Sequence, residues 1–397
     1  MSNNSKILLI TAGTMDYITG GTVMYRKFLK HIPRNQLCWA VAGGWSNKVP
    51  LWMSDRDRLI CYSPLFNRLI YGLIRRMAYY RLGLHNIWFW YAYKWFPQRA
   101  AKKITEFAVR QKVTKIWVHA TGPAIGVAIR VQRSLNLPIH VNIQDDIDGP
   151  TGVEEGKWLR KDFVNLLQNS TTSDVTCLAM KDYYISKYDT CHDAFVLWNG
   201  SVTEDIPEAP TINAKFKYIG YGGFIWSYDA INICLSALEI LNAGRHSEDI
   251  IMLRIYSKRL KLNHPYIQYM GLLDTEQIIP ALQECDLLYV PMSFLPRYHI
   301  LSSTSLPGKI LTYMQTQIPI LAHGPTYASN VEFVGMHQIG ITCTSTEPKV
   351  LAAIIEKYEH EIHYRVKASN MSLKLCKTKF DSKEVWQKFQ AVLFEGA

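Results

Sequence analysis

A chain of 397 residues is longer than one ordinary hydrophobic core serves, and two domains is the simplest division. With 48% hydrophobic and 19% charged residues, the composition excludes an extended disordered chain, and nothing in it suggests a repeat array. The formal charge of +11 arises mainly from one stretch: between Arg56 and Lys112, twelve lysines and arginines stand against Asp57 and Glu106 alone.

In chain order, Lys6 to Thr11 is a short apolar run that reads as a first strand, not as a secretory signal, so a cytoplasmic location is expected. It ends in a turn holding Gly20 and Gly21, where missing side chains let the backbone approach a ligand closely, and Thr22 to Lys30 reads as a helix. Leu37 to Ala42 is a second strand. The eight cysteines form no C-x-x-C pair and no zinc-spaced cluster, so buried reduced thiols are expected.

The basic segment 56–112 is also dense in aromatic residues, among them Trp88, Trp90 and Trp95. A helical projection of Arg68 to Leu84 gathers Leu69, Ile70, Leu73, Ile74, Met77 and Leu84 on one face, with Arg68, Arg75 and Arg76 on or near the other, although Arg81 breaks the pattern. Such a stretch suits an anionic membrane surface, its apolar side in the acyl boundary and its arginines at the phosphates. No uncharged apolar run reaches the roughly 18 residues of a spanning helix. A buried helix pair with a solvated basic face is the alternative, and nucleic acid is not an expected partner because no recognised motif accompanies the charge.

Lys115 to His119 and Ile139 to Ile143 read as further strands, and Gln98 to Gln111 and Ala124 to Leu135 as helices. This alternation predicts a parallel sheet covered by helices, with a crevice at the strand C-termini. His119 lies at that edge, and Asp145, Asp146 and Asp148 closely follow a strand leading to it. A carboxylate there could act as a general base, a D-x-D pair could hold a divalent ion, or the run could be a turn and helix cap.

From Gly200 to Ala214 the sequence is poor in apolar residues and reads as a connection. The strand and helix pattern then restarts: strands at Tyr218 to Gly223, Ile250 to Tyr256, Leu287 to Pro291 and Pro319 to His323, helices at Asp229 to Leu241, Thr275 to Gln283 and Lys309 to Met314. The hydroxyl-rich run Ser302 to Ser305 leads through Leu306-Pro307-Gly308 to Lys309 at a helix start. Free N–H groups, the helix dipole and the lysine charge would together favour a diphosphate, although Pro-Gly also makes an ordinary turn.

PGKILTYM followed by IPILA resembles the donor site of GT-B glycosyltransferases, in particular family-4-like enzymes of bacterial polysaccharide assembly. The order Ile219-Gly220-Tyr221-Gly222-Gly223, Tyr269-Met270-Gly271-Leu272-Leu273, then Cys285-Asp286-Leu287-Leu288-Tyr289-Val290-Pro291 extends the resemblance over roughly residues 215–350. It implies an α/β fold of two Rossmann-like domains facing a cleft: 1–203 for the acceptor, a linker at 204–214, 215–375 for the nucleotide sugar, and a terminal helix within 376–397 packing back toward the first domain.

The resemblance further implies sugar transfer from a UDP- or GDP-linked donor to a lipid-linked or glycan acceptor, with no other cofactor and no metal. Donor contacts fall on Gly222, Gly223, Lys258, Gly271, Leu272, Thr304, Ser305, Lys309 and Thr312. Acceptor contacts fall on Gly20, Gly21 and His119, and the base on Asp145, Asp146 or Asp148. Two departures stand out. Thr304 and Thr312 occupy the positions of a glutamate pair, and Phe224-Ile225-Trp226-Ser227 replaces a loop with Arg and Lys, which concentrates the phosphate charge on Lys309. A non-catalytic glycan-binding or scaffolding subunit of a membrane complex is the competing expectation.

Overall fold

The computed structural model describes residues 5–13, 20–43, 59–62, 85–148, 153–198, 202, 205–258 and 262–395. The amphipathic stretch read at Arg68 to Leu84 lies outside them, as does Gly200 at the start of the connection. The chain divides into two compact units: 1–197 with 386–397, and 198–385.

The first unit is built on seven parallel strands: β1 (Ile7–Thr11), β2 (Leu37–Ala42), β3 (Leu59–Tyr62), β4 (Lys115–His119), β5 (Ile139–Ile143), β6 (Thr172–Val175) and β7 (Phe195–Val196), in the order β3-β2-β1-β4-β5-β6-β7. Helices link most successive strands, including Gly20–Leu29, Phe96–Arg110, Pro123–Leu135, Val153–Gln168 and Leu178–Tyr188. β1, β2 and β5 are buried throughout, as a parallel sheet covered on both faces requires. Ile7 is in register with both Leu37 and Lys115, so β1 is central.

The terminal helix Ser382–Gln390 supplies the lid of this core. Phe389 is fully buried and stacks on Phe28 with ring centroids 4.6 Å apart, with Trp117 at 5.4 Å. Trp386 stacks on His31 at 5.1 Å.

The second unit repeats the design with six parallel strands: β8 (Tyr218–Gly222), β9 (Met252–Tyr256), β10 (Ile267–Tyr269), β11 (Leu287–Pro291), β12 (Ile320–His323) and β13 (Gly340–Cys343), in the order β10-β9-β8-β11-β12-β13. Its core packs Ile219, Tyr221, Leu253, Ile255, Leu287 and Tyr289 of the sheet against Ile231, Leu235 and Leu238 of the helix Tyr228–Asn242. Residues 205–214 form no regular element but are fastened to this unit: Gln317 donates to the Pro207 carbonyl at 2.6 Å and buried Arg365 to the Asn213 carbonyl at 2.5 Å. The second unit begins ahead of the composition boundary because the Val202 N–H is already bonded to the Phe380 carbonyl at 3.0 Å.

Candidate functional site

The two sheets share one topology. The order of strands reverses between β1 and β4 in the first unit and between β8 and β11 in the second. In open parallel sheets of this kind, ligands bind outside the carboxyl ends of the strands at that reversal.

In the second unit, β8 ends there in Gly222 and is followed by Gly223. Gly223 has φ +98°, a conformation few side chains tolerate, and a Cβ on it would lie 3.8 Å from the Lys309 amine. Lys309 is the first residue of the helix Lys309–Thr316, whose N-terminus has no side-chain cap. Its Nζ sits 3.7 Å above the centre of the Tyr221 ring, a favourable cation–π position. Burial, with no carboxylate offsetting it, pushes the amine from its ordinary 10.5 down to about 7. A cation held in this way is poised for an anion from outside. Thr312 lies three residues on, partly exposed.

Several groups expected at the donor are engaged internally instead. The Gly222 N–H donates to the Tyr313 hydroxyl at 2.7 Å, the Gly223 N–H to the Tyr256 carbonyl at 2.8 Å, and the Ser305 N–H to the Leu301 carbonyl at 3.1 Å. These N–H groups close the strand ends and the turn of the fold, which corrects the expectation that they face phosphate. Thr304 is 1% exposed, and its hydroxyl bonds the Ile300 carbonyl at 2.7 Å within the helix His299–Thr304. Its side chain therefore does not replace the glutamate of the resemblance at an open surface. Lys258 is exposed after β9, and Gly271, at φ +79°, precedes exposed Leu272 after β10.

The sequence did not reveal two supports of this edge. Tyr313 braces Gly222, and Asp229 accepts bonds from the Ser293 hydroxyl at 2.9 Å and the Phe294 N–H at 2.7 Å, fixing the loop that leaves β11. Tyr221 and Tyr313 are read from sequence as strand and helix core; only the fold brings them to Lys309 and Gly222.

In the first unit, Gly20 and Gly21 open the helix after β1, and His119 ends β4 at the reversal point. The His119 ring packs 5.2 Å from Tyr25, its Nε2 is buried without a hydrogen-bond partner, and burial lowers its pKa to about 4, leaving it neutral. Tyr25 is itself fixed: its hydroxyl donates to Asn142 at 2.7 Å, Asn142 to Asp174 at 2.5 Å, and His140 closes on Asp174 at 2.6 Å. This buried chain of polar groups was not legible from sequence either.

The acidic run separates into two kinds of carboxylate. Asp146 accepts the Asp148 N–H at 2.9 Å and the Tyr184 hydroxyl at 3.0 Å, and burial is the main cause of its raised pKa. Asp148 is gripped by Arg160 at 2.8 and 3.0 Å, with Lys187 at 3.5 Å. Asp146 is a turn group and Asp148 an ion-pair group, both buried, which corrects their expected place in an open crevice. Asp145 is partly exposed. Among the described residues, no group of three or more His, Cys, Asp or Glu is placed to hold a metal ion.

No family model matches the chain, and no curated protein matches it in sequence. Solved structures match along nearly its whole length. The Anabaena protein Alr3699/HepE, in complex with UDP and glucose, superposes with a TM-score of 0.67 at 14% identity, covering 98% of this chain and 99% of that one. A glycosyltransferase from Rickettsia africae gives 0.66 at 13% identity, with 99% of both chains covered. The lipopolysaccharide outer core galactosyltransferase WaaB in its apo form gives 0.63 at 10% identity, covering 99% of this chain and 100% of that one. The fold is the two-unit α/β fold of the GT-B glycosyltransferases.

Proposed function

We propose that this chain is a glycosyltransferase that moves a sugar from a nucleoside-diphosphate donor, UDP- or GDP-linked, to a hydroxyl of a lipid-linked or glycan acceptor in cell-surface polysaccharide synthesis. The observation that carries the reading is the Lys309 amine, held without a carboxylate beside Gly223 at the strand-order reversal of the second unit. The Anabaena structure of the same fold contains UDP and glucose, which supports a nucleotide sugar as the donor.

In the reaction, a carboxylate takes the proton of the acceptor hydroxyl as its oxygen bonds the anomeric carbon of the donor sugar. The bond from that carbon to the phosphate oxygen breaks, and its electron pair leaves with the nucleoside diphosphate. Lys309 stabilises the charge developing there. Of the acidic run, Asp145 is assigned as the base, because it is the partly exposed member while Asp146 and Asp148 are buried in their turns. His119, neutral at the reversal of the first sheet, is assigned to acceptor contact.

A screen of nucleotide sugars for thermal stabilisation tests the donor, followed by transfer assays on Lys309→Ala. Equal transfer with an unchanged donor KM would remove the phosphate site. The engagement of Asp146 and Asp148 favours one second reading, a non-catalytic glycan-binding subunit; it requires that no donor hydrolysis or transfer is detected with any acceptor.

The acceptor reading includes attachment to the inner face of the membrane. No helix among the described residues is long and apolar enough to cross one. The support for surface attachment is the helix His85–Trp90, which exposes Ile87 at 63% and Trp90 at 51% ahead of Lys94, Arg99, Lys102 and Lys103. Flotation with anionic liposomes at low salt tests it, and a protein that stays at the bottom defeats it.

A further inference from the structure

The loop joining β8 to the helix Tyr228–Asn242, which begins at Gly223 next to the candidate phosphate cation, carries two large aromatic rings. Trp226 is 64% exposed and Phe224 51%, while Ile225 between them turns inward against the core. The backbone of this loop is held at three places. The Gly223 N–H donates to the Tyr256 carbonyl at 2.8 Å, the Tyr221 hydroxyl donates to the Phe224 carbonyl, and the Ser227 hydroxyl donates to the Pro291 carbonyl at 3.2 Å. The last bond ties the end of the loop to the end of β11, the strand next to β8 at the reversal point.

Aromatic area held outward on a fixed backbone is a surface that the face of a ligand ring can cover. Trp226 is three residues from Gly223, so its backbone lies within about 10 Å of the glycine whose added Cβ would come 3.8 Å from the Lys309 amine. A ligand that satisfies both features joins an anion to a ring with an apolar face. A nucleotide sugar carries two such rings, one on each side of its diphosphate. Tyr269, Met270 and Leu272 offer a second exposed apolar surface of this edge, at the end of β10, two strands and about 10 Å from β8. The nucleoside end is assigned there, with Gly271 and Leu272, which leaves the sugar for the β8 loop.

We propose that Trp226, flanked by Phe224, stacks on the sugar ring of the donor and sets how much affinity the sugar adds to the nucleoside diphosphate. The proposal rests on the donor reading given above. It makes selection at this loop a matter of ring-face shape, where axial hydroxyls would keep the ring from lying flat on the indole.

The test is titration calorimetry of the full chain with four probes: UDP, UDP-glucose, GDP and GDP-mannose. Trp226→Ala is expected to weaken the sugar nucleotide that binds by about five- to tenfold, while its free nucleoside diphosphate stays within about twofold. Trp226→Phe is expected to recover most of the loss, and Lys309→Ala to weaken both ligands together. An unchanged melting temperature for each Trp226 variant shows that the exposed ring was not holding the fold. Equal weakening of the free and sugar nucleotides by Trp226→Ala overturns the proposal in favour of stacking on the base, and no change in either overturns it outright. If the parent protein binds none of the four probes, the donor reading fails first and the proposal falls with it.

Discussion

Replacing Lys309 by methionine separates two consequences of holding an amine as this fold does. The amine titrates near 7 in the folded chain and at its ordinary 10.5 when exposed. Between those values the unfolded chain binds one more proton than the folded one, so this group makes stability fall as pH drops from about 10.5 to about 7 and leaves it level below. The full penalty has an upper bound on the order of 4–5 kcal/mol at one pKa unit per 1.36 kcal/mol. Partial exposure and relaxation reduce it, and a gain of about 1–3 kcal/mol is expected from Lys309→Met below pH 7. That corresponds to a melting temperature roughly 2–10 °C higher for a unit of this size. The assay is thermal unfolding at pH 6.5 with and without saturating UDP. Without ligand the variant should melt above the parent; with UDP the parent should gain and the variant should not. A variant that melts below the parent without ligand, or that gains as much from UDP, would refute the reasoning.

The same titration makes donor affinity depend on pH. From pH 7 to 9 the affinity for UDP should fall by up to about tenfold per unit in calorimetry, as the free protein must first take up a proton, and Lys309→Met should flatten the profile. Asp145→Asn should lower turnover by about 10²-fold or more with little change in donor affinity. Asp148→Asn should instead lower the melting temperature, because Arg160 and Lys187 lose their shared charge. Gly156→Ala should destabilise by about 2 kcal/mol or more, measured by denaturant unfolding, since the new Cβ would lie 1.9 Å from the Asp148 carboxylate in a packed interior.

The parts of the fold that could be read in advance are those whose chemistry is local. β2, β4, β5 and β11 follow the apolar runs at the expected residues, because a strand covered on both faces leaves a continuous hydrophobic signature. β6 did not, because Thr172 and Asp174 point into the buried polar chain around His140 and Asn142 and so resemble a loop. The helix His299–Thr304 was hidden in the same way. Its hydroxyls resemble ligand groups in one dimension, but those of Ser303 and Thr304 bond the Ile300 carbonyl one turn earlier. Lys309 was identifiable because a lysine after Pro-Gly at a helix start has a local meaning. What surrounds it is not local: Tyr221 and Gly223 arrive from β8, far back in the chain. The engagement of Asp148 was hidden for the converse reason, since nothing near it announces that Arg160 and Lys187 will converge on it.

The seat of Phe389 against Phe28 and Trp117 sets an order on biosynthesis. The ribosome releases the first unit's seven strands, then makes all of residues 198–385 before the segment that covers this face emerges. At ordinary elongation rates that interval is roughly 10–40 s. For its duration the nascent first unit exposes an aromatic surface built to receive its own later segment. A paused ribosome, a premature stop or a proteolytic cut before Trp386 leaves that surface open, so a truncated product should be recognised by chaperones through its N-terminal unit, not through the unit that was cut.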